Sequence, residues 1–282
     1  MDSTHPTTAS YVPSVPDRLA SKKRERESAM NATAKVIGLD IAKNVFAAVG
    51  QTEQGKVVMK RILSRGEVLS TFANMPPTMI GIEACAGSHY WARKLNAMGH
   101  DAKLIAAQHT RAYVTGNKND TNDAAAIAES RSRTSTKYVA INTEAQQDLQ
   151  MLHRTRQALM QERVAMINRI RAFATEYGQV FAVGVAKFFT GFTAWLNDEQ
   201  NGLSGSAIAT FTELKAQPDD KDARIAVYDQ RLTQAAKEDP RAEKLMKVPG
   251  IGKMIATAAL ATASDANHFD SGRVFSANIG LV

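Results

Sequence analysis

Short apolar segments separated by turn residues dominate residues 35–63 and restrict that part of the chain to β-structure. Residues 35–42 are apolar and rich in β-branched side chains, and residues 45–49 form a second run of the same kind. The polar, glycine-containing segment 51–55 is typical of a turn, and the alternation in 56–63 predicts a third strand. Three strands with such short links predict an antiparallel meander.

Helical segments alternate with two further strands beyond residue 63. Ser64 and Glu67 have the spacing of a capping box, Pro76 ends the helix that follows, and Gly99 closes the next one. The predicted elements are a helix over 64–75, a strand over 78–83, a helix through 90–98, a strand over 102–106 and a helix over 121–133. This order predicts an α/β fold in which helices cover a mixed sheet.

Residues 143–177 contain neither proline nor glycine, and their apolar residues recur every three or four positions. The spacing predicts one helix roughly 50 Å long. The apolar side of this helix, called the seam below, comprises Leu149, Leu152, Arg156, Leu159, Arg163, Met166, Ile170, Phe173 and Tyr177. We expect the seam to form a coiled coil that joins copies into a homo-oligomer. The alternative is a long helix packed within its own domain.

The remaining chain is predicted to be helical. Pro218 and Pro240 are expected to interrupt residues 179–240, and the turn at 248–253 leads into an alanine-rich helix that ends near residue 263. The most apolar stretch, 181–196, is shorter than the ~20 residues that span a bilayer, so it predicts a core helix and no membrane partner.

Charge is distributed unevenly along the 282 residues, whose formal net charge is +7. Residues 36–142 carry 13 basic and 8 acidic side chains, which favours a polyanionic partner for this segment. The single cysteine, Cys85, excludes a disulfide framework and a zinc site with several thiolates. Because residues 1–33 are polar and lack an apolar signal segment, we expect a disordered basic tail on a cytoplasmic protein.

Four carboxylates stand out within the basic segment. Asp40 interrupts an apolar strand, Glu83 closes another, and Asp120 and Asp123 lie three apart at the start of a helix, where they can share a face. A compact mixed sheet can bring these elements together, and converging carboxylates are what hard cations such as Mg²⁺ require. Two such ions support phosphodiester chemistry.

Each acid also has a purely structural interpretation. Asp120 can cap the helix, and Asp123 suits the dipole of its first turn. Asp40 can satisfy a turn, and Glu83 can pair with an arginine or lysine.

Three segments resemble the motifs of a known family. GLDIAK (38–43), GIEACAGSHY (81–90) and KNDTNDAAAIA (118–128) look like the acidic motifs of the DEDD transposases of the IS110 insertion-sequence family. The segments 247–269 and 280–282 are similar to the start of that family's C-terminal domain. The resemblance spans roughly residues 36–282.

The resemblance implies a RuvC-like, ribonuclease-H-type domain, then a coiled-coil region and a C-terminal transposase domain. It implies that Asp40, Glu83, Asp120 and Asp123 are the catalytic residues and bind Mg²⁺ or Mn²⁺. It also implies DNA as substrate, namely element ends and target, and a structured guide RNA as a further partner. The family's nucleophilic serine motif has no match, so we expect a chain truncated before that motif.

On this basis the expected domains are a tail over 1–33, a RuvC-like domain over 34–142, a helical connector over 143–240 and an incomplete C-terminal domain over 241–282. Lys43 and Lys118, which lie in the matched motifs, are expected to contact nucleic acid. The turn with Gly250, Gly252 and Lys253 resembles a helix-hairpin-helix, whose exposed amides can hold a DNA phosphate. A tight packing turn is the equal alternative.

The sequence thus predicts an insertion-sequence transposase that cleaves and exchanges DNA strands at a metal-binding tetrad. One alternative is an inactive nucleic-acid-binding or dimerisation remnant. Another is a RuvC-like junction nuclease that needs no serine.

Overall fold

The structure, a computed structural model, describes residues 34–117, 119–263 and 271–274. They form two compact units, one ending at Ile141 and the other beginning at Asn142. The expected tail over 1–33, the nucleic-acid contact of Lys118 and the chain end at 275–282 lie outside the described residues. The finer division at residues 240 and 241 stays a prediction.

The first unit contains a mixed sheet with the strand order β3-β2-β1-β4-β5-β6. The first three strands pair antiparallel, so the predicted meander is confirmed, whereas β4 and β5 run parallel to β1. The short β6 pairs antiparallel with β5 and was not predicted. The strands are β1 (Val36–Ile41), β2 (Val45–Gln51), β3 (Val57–Ser64), β4 (Met79–Glu83), β5 (Asp101–Ile105) and β6 (Tyr138–Val139).

Helices cover both faces of this sheet. They are α1 (Glu67–Ala73), α2 (Ser88–Ala97), α3 (Ala107–Arg111) and α4 (Asp120–Ser132). The first two pack on the face that presents Leu39 and Ile82, and α4 packs on the other face against Ala47 and Val49. Each large apolar side chain buried there contributes ~1.5–3 kcal/mol. The fold is the expected α/β ribonuclease-H-like sheet with helices.

The start of α1 differs from the predicted capping box. Gly66 is the N-cap, and no side chain caps the helix there. Only the reverse half of the box forms, because the Ser64 amide and hydroxyl both donate to Glu67 Oε2, at 2.8 and 2.6 Å. The helix therefore begins two residues later than a full box would place it.

The second unit is helical throughout the residues that the structure describes. The predicted long helix is confirmed, and it starts with a full capping box between Thr143 and Gln146. Its helices are α5 (Glu144–Glu176), α6 (Val185–Leu196), α7 (Gly205–Glu238), α8 (Pro240–Met246) and α9 (Lys253–Thr262). Proline at the first position of α8 confirms Pro240 as a boundary, with Asp239 as the N-cap.

Pro218 does not interrupt the helix, and that prediction was wrong. Helix α7 continues through this residue, which is buried. A proline inside a helix loses one backbone hydrogen bond and costs ~3 kcal/mol. Packing of α7 along α5 offsets this cost and keeps the two ends of the helix joined.

The seam of α5 is occupied within its own unit. Arg156 Nε lies 2.5 Å from Asp229 Oδ1, and Arg163 Nε lies 2.5 Å from Asp222 Oδ1, with both acids on α7. The contacts therefore match the second alternative for this helix, which is packing inside its own domain. Self-association through α5 stays a prediction.

The apolar stretch over 181–196 forms the core of the second unit, as predicted. Phe188 and Phe192 of α6 are buried and stack on each other with ring centroids 5.6 Å apart. Within the described ranges no helix combines the length and apolar character needed to cross a bilayer.

Candidate active site

Asp40 and Glu83 lie at the carboxyl ends of two neighbouring parallel strands. Leu39 of β1 pairs with Ile82 of β4, so the next residue along each strand, Asp40 and Glu83, comes side by side. Successive residues of a strand point to opposite faces. Both carboxylates consequently belong to the sheet face that α4 covers, opposite the core residues Leu39 and Ile82.

Two glycines let α4 approach this face closely. A Cβ atom on Gly38 would lie 1.9 Å from the carbonyl oxygen of Ala124, and one on Gly81 would lie 2.9 Å from Cβ of Arg131. Gly38 and Gly81 are register partners on β1 and β4. Without side chains at these two positions, the helix whose first turn carries Asp120 and Asp123 can pack closely on the sheet.

The electrostatics of Asp40 indicate that the four acids converge. Burial, and then the carboxylates of Asp123, Asp120 and Glu83, raise the pKa of Asp40 to about 6. All three neighbours therefore act on one half-buried group. Asp40 thus interacts electrostatically with each of the other three acids that the sequence singled out.

Neither aspartate in the first turn of α4 is its N-cap. Asn119 is the N-cap of this helix, since its side chain accepts from the Asn122 amide at 2.8 Å. The carboxylate of Asp120 therefore does not cap the helix. Asp123 does lie in the first turn, where the helix dipole favours it.

Glu83 is held by a hydroxyl and not by a cation. Thr110 Oγ1, on the short helix α3, donates to Glu83 Oε2 at 2.6 Å. Among the ion pairs of the described residues, none includes Asp40, Glu83, Asp120 or Asp123. In that part of the chain, no lysine or arginine forms an ion pair with the cluster.

The donor atoms fit a hard divalent cation, because all of them are carboxylate oxygens. Their positions are more open than a closed metal site. Within the part of the chain that the structure describes, no group of three or more His, Cys, Asp or Glu side chains is close enough to hold a metal. The carboxylates would have to draw together to share an ion.

Thr110 was not found from the sequence, and Cys85 stood out there only as the single cysteine. Thr110 lies in a helix of five residues, which is too short to give a periodic signal. Cys85 follows Glu83 by two residues, and burial, Glu83 and Asp40 raise the pKa of its thiol. A raised pKa keeps the thiol protonated, which disfavours a thiolate nucleophile there.

The expected nucleic-acid residues lie in both units. Lys43 is exposed in the turn between β1 and β2. In the second unit, Gly250 has a φ of +87°, Gly252 is the N-cap of α9, and the exposed Lys253 is its first residue. The geometry at 250–253 is thus a glycine turn leading into a helix N-terminus.

Comparisons with known proteins agree on one family. A transposase model for the DEDD enzymes of IS110 elements matches residues 37–179, and a model described as the transposase IS116/IS110/IS902 family matches residues 242–282. The transposase for insertion sequence element IS1111A of Coxiella burnetii is 36% identical, over 94% of this chain and 72% of that protein.

Further relatives come from other bacteria. A probable family 20 transposase of Pseudomonas aeruginosa is 38% identical over 87% of this chain and 73% of its own length. The transposase for insertion sequence element IS1328 of Yersinia enterocolitica is 34% identical, with shares of 88% and 73%. Since relatives at this level of identity extend over most of both chains, the protein belongs to the IS110 family of transposases.

Proposed function

We propose that this transposase cleaves and exchanges DNA strands at a metal site formed by Asp40, Glu83, Asp120 and Asp123. One observation carries the proposal: burial and then three neighbouring carboxylates raise the pKa of Asp40, and no basic side chain of the described residues forms an ion pair with any of the four acids. Burying charge in this way is costly unless a cation compensates it. Mg²⁺ or Mn²⁺ is the cation proposed.

The four acids have different positioning roles in this proposal. Asp40 lies near the end of a central strand, and it is mostly ionised only above pH 6. The hydroxyl of Thr110 orients Glu83. Asp120 and Asp123 both belong to α4. The close contact of this helix with Gly38 sets their distance from the sheet.

A bound Mg²⁺ would supply Lewis acidity to a phosphodiester and lower the pKa of an attacking hydroxyl or water. The protein would supply the orientation of the four carboxylates and the binding of the DNA. For the latter we propose Lys43, Lys118 and the turn of Gly250, Gly252 and Lys253. A helix N-terminus such as that of α9 offers amides to a phosphate.

Titration calorimetry with Mn²⁺ tests the metal site. The wild-type protein is expected to bind Mn²⁺, and the double variant Asp40→Asn with Asp123→Asn is expected to lose that binding. A matched control, Asp198→Asn with Asp219→Asn, removes two exposed carboxylates of the second unit and should bind as the wild type does. Equal binding by the wild type and the tetrad variant would overturn the assignment.

A strand-exchange assay on the element ends separates the three functions that the sequence left open. Joining of ends by this chain, lost in Glu83→Gln and kept in Glu53→Gln, supports the transposase. Metal-dependent nicking of a branched junction without joining would favour the junction nuclease. DNA binding with neither reaction would favour the inactive remnant. Guide-RNA binding and self-association are further proposals on which this assay does not depend.

A further inference from the structure

We propose that a basic–aromatic strip beside the acidic cluster, formed by Lys43, Arg65, Tyr90 and Lys94, binds a single-stranded segment of DNA. The inference rests on the proposed function, because it assigns the surface that holds the strand next to the four acids. Arg65 and Lys94 lie outside the three acidic motifs, and Tyr90 is the last residue of the second motif, with no role in metal binding.

The strip begins at the turn that follows β1. Arg65 lies directly after β3, its amide donates to the Asn44 carbonyl at 2.8 Å, and its Nη1 donates to the Lys43 carbonyl at 3.3 Å. Lys43 is three residues beyond Asp40, and its side chain is exposed. These bonds hold Arg65 against the backbone of the Lys43 turn, at the end of the sheet where Asp40 lies.

Aromatic rings continue the strip onto α2. The Arg65 guanidinium lies 5.2 Å from the ring centroid of Trp91, and Trp91 meets Tyr90 edge to face with centroids 5.2 Å apart. Lys94 Nζ lies 5.6 Å from the Tyr90 centroid. Trp91 is buried, whereas Tyr90 is 38% exposed, so Tyr90 is the ring that a partner can reach.

The location of the strip follows from the strand order. Helix α2 begins five residues after Glu83, and the Lys43 turn follows the strand that carries Asp40. Both segments therefore leave the sheet at the edge where the acidic cluster lies. In this proposal a strand bound at the cluster continues past this end of the sheet onto the strip.

Among the described residues, the cations of the strip form no ion pair. The ion pairs of the first unit, among described residues, are Lys35 with Glu53, Arg131 with Asp101 and Arg133 with Glu129. Lys43, Arg65 and Lys94 take part in none of them. Cations that interact with aromatic rings and not with carboxylates stay available to phosphate.

The chemistry of this surface favours a single strand over a duplex. Single-stranded nucleic acid is held by cations along its backbone and by stacking of its bases on aromatic rings. In a duplex the bases face one another and cannot stack on Tyr90. Lys94 beside the accessible ring of Tyr90, with Arg65 over the neighbouring Trp91, matches the first arrangement.

Fluorescence anisotropy with a labelled oligothymidylate of about 20 nucleotides, in EDTA, tests the strip. Tyr90→Ala is expected to weaken binding by roughly tenfold, and Tyr90→Phe to leave it unchanged, because the phenyl ring still stacks. Lys94→Ala and Arg65→Ala should each lower the salt dependence, log Kd against log salt, by about 0.7. Lys56→Ala, an exposed cation of the β2–β3 turn at the opposite sheet edge, should leave both quantities close to those of the wild type.

Photocrosslinking tests whether DNA contacts the Tyr90 ring without relying on binding affinity. Irradiation of a 5-iododeoxyuridine oligonucleotide bound to the protein should give a crosslink at Tyr90. Wild-type affinity in both Tyr90→Ala and Lys94→Ala, or crosslinks only elsewhere, would overturn the strip. Losses confined to an oligouridylate probe would instead assign it to RNA and overturn the assignment to DNA. Because no metal is present, Asp40→Asn should bind the oligonucleotide at least as well as the wild type, so a failed metal site and a failed strip give different results.

Discussion

A Cβ atom on Gly38 would lie 1.9 Å from the carbonyl oxygen of Ala124, so β1 and α4 meet backbone against backbone at that point. The contact lies two residues before Asp40 and one residue after Asp123. The distance between α4 and β1 at this contact therefore affects how far Asp120 and Asp123 lie from Asp40. No side chain can occupy that space while the helix keeps its place.

Gly38→Ala should for this reason disturb the site as well as the fold. The methyl group has to lift α4, and overpacking of this kind costs ~1–3 kcal/mol of unfolding free energy. Lifting the helix also moves Asp120 and Asp123 away from Asp40, so Mn²⁺ affinity should fall. Urea denaturation measures the first effect and calorimetry the second.

Gly66→Ala is the matched control for this substitution. Nothing lies within 4 Å of a Cβ atom at Gly66, and its φ is −72°, which alanine adopts freely. Its unfolding free energy and metal affinity should stay near those of the wild type. If Gly38→Ala leaves both the unfolding free energy and the metal affinity unchanged, as Gly66→Ala should, the position of α4 does not require a glycine at residue 38.

Asp40 should make the metal-free protein less stable as the pH rises. Its pKa is about 6 in the folded protein against an ordinary 3.8, so the unfolded chain releases the proton first. The stabilising contribution of the protonated form is complete below pH 3.8 and is lost as the pH rises through 6. The shift corresponds to ~3 kcal/mol, which solvent screening of this half-exposed group reduces to ~1–2 kcal/mol.

Urea denaturation in EDTA at several pH values between 4 and 8 measures this loss. The difference in unfolding free energy between Asp40→Asn and the wild type should grow across that range, because the amide does not titrate. Adding Mg²⁺ at pH 7.5 should restore stability to the wild type only. A difference that stays constant with pH would contradict the raised pKa.

Thr110 should support metal binding without touching the metal. Thr110→Val removes the hydroxyl that donates to Glu83 Oε2 and leaves a side chain of similar shape. Losing a hydrogen bond that orients a ligand typically lowers metal affinity by about 10–100-fold. Thr110→Ser keeps the hydroxyl and should bind Mn²⁺ almost as the wild type does, as calorimetry would show.

A structural role alone predicts a different pattern for Thr110. In that case both variants would bind metal equally, and only the unfolding free energy of Thr110→Val would fall, by about 0.5–1.5 kcal/mol. Comparing the two quantities in the same pair of variants therefore separates positioning of Glu83 from simple packing.

The parts of this site that could be predicted from sequence are those with a local signal. Asp40 and Glu83 interrupt or close apolar strands, and Asp120 and Asp123 open a helix, so each is visible within its own segment. Thr110 has no such signal, because a helix of five residues is shorter than any periodic pattern. Its role depends on a contact 27 residues away in sequence, with Glu83.

In the second unit, a clear local signal gave a wrong prediction because tertiary packing overrode it. Pro218 gives a strong local signal to end a helix, yet tertiary packing keeps α7 continuous through it. The seam that contains Arg156 and Arg163 was expected to form a coiled coil with another copy of the chain. Their partners, Asp222 and Asp229, lie on α7 more than fifty residues further along, beyond the reach of periodicity alone.

Coupling between Arg156 and Asp229 should be measurable and should exceed that of a surface pair. The two side chains are 25% and 37% exposed, against 61% and 55% for Arg224 and Asp220, which pair within α7. A double-mutant cycle with alanine at both positions is expected to give ~0.5–2 kcal/mol for the α5–α7 pair. The pair within α7 should give ~0.3–0.5 kcal/mol, as exposed pairs one helical turn apart do. Equal coupling in the two cycles would indicate that the seam arginines do not hold α5 against α7, and would leave the seam free to join two copies of the chain.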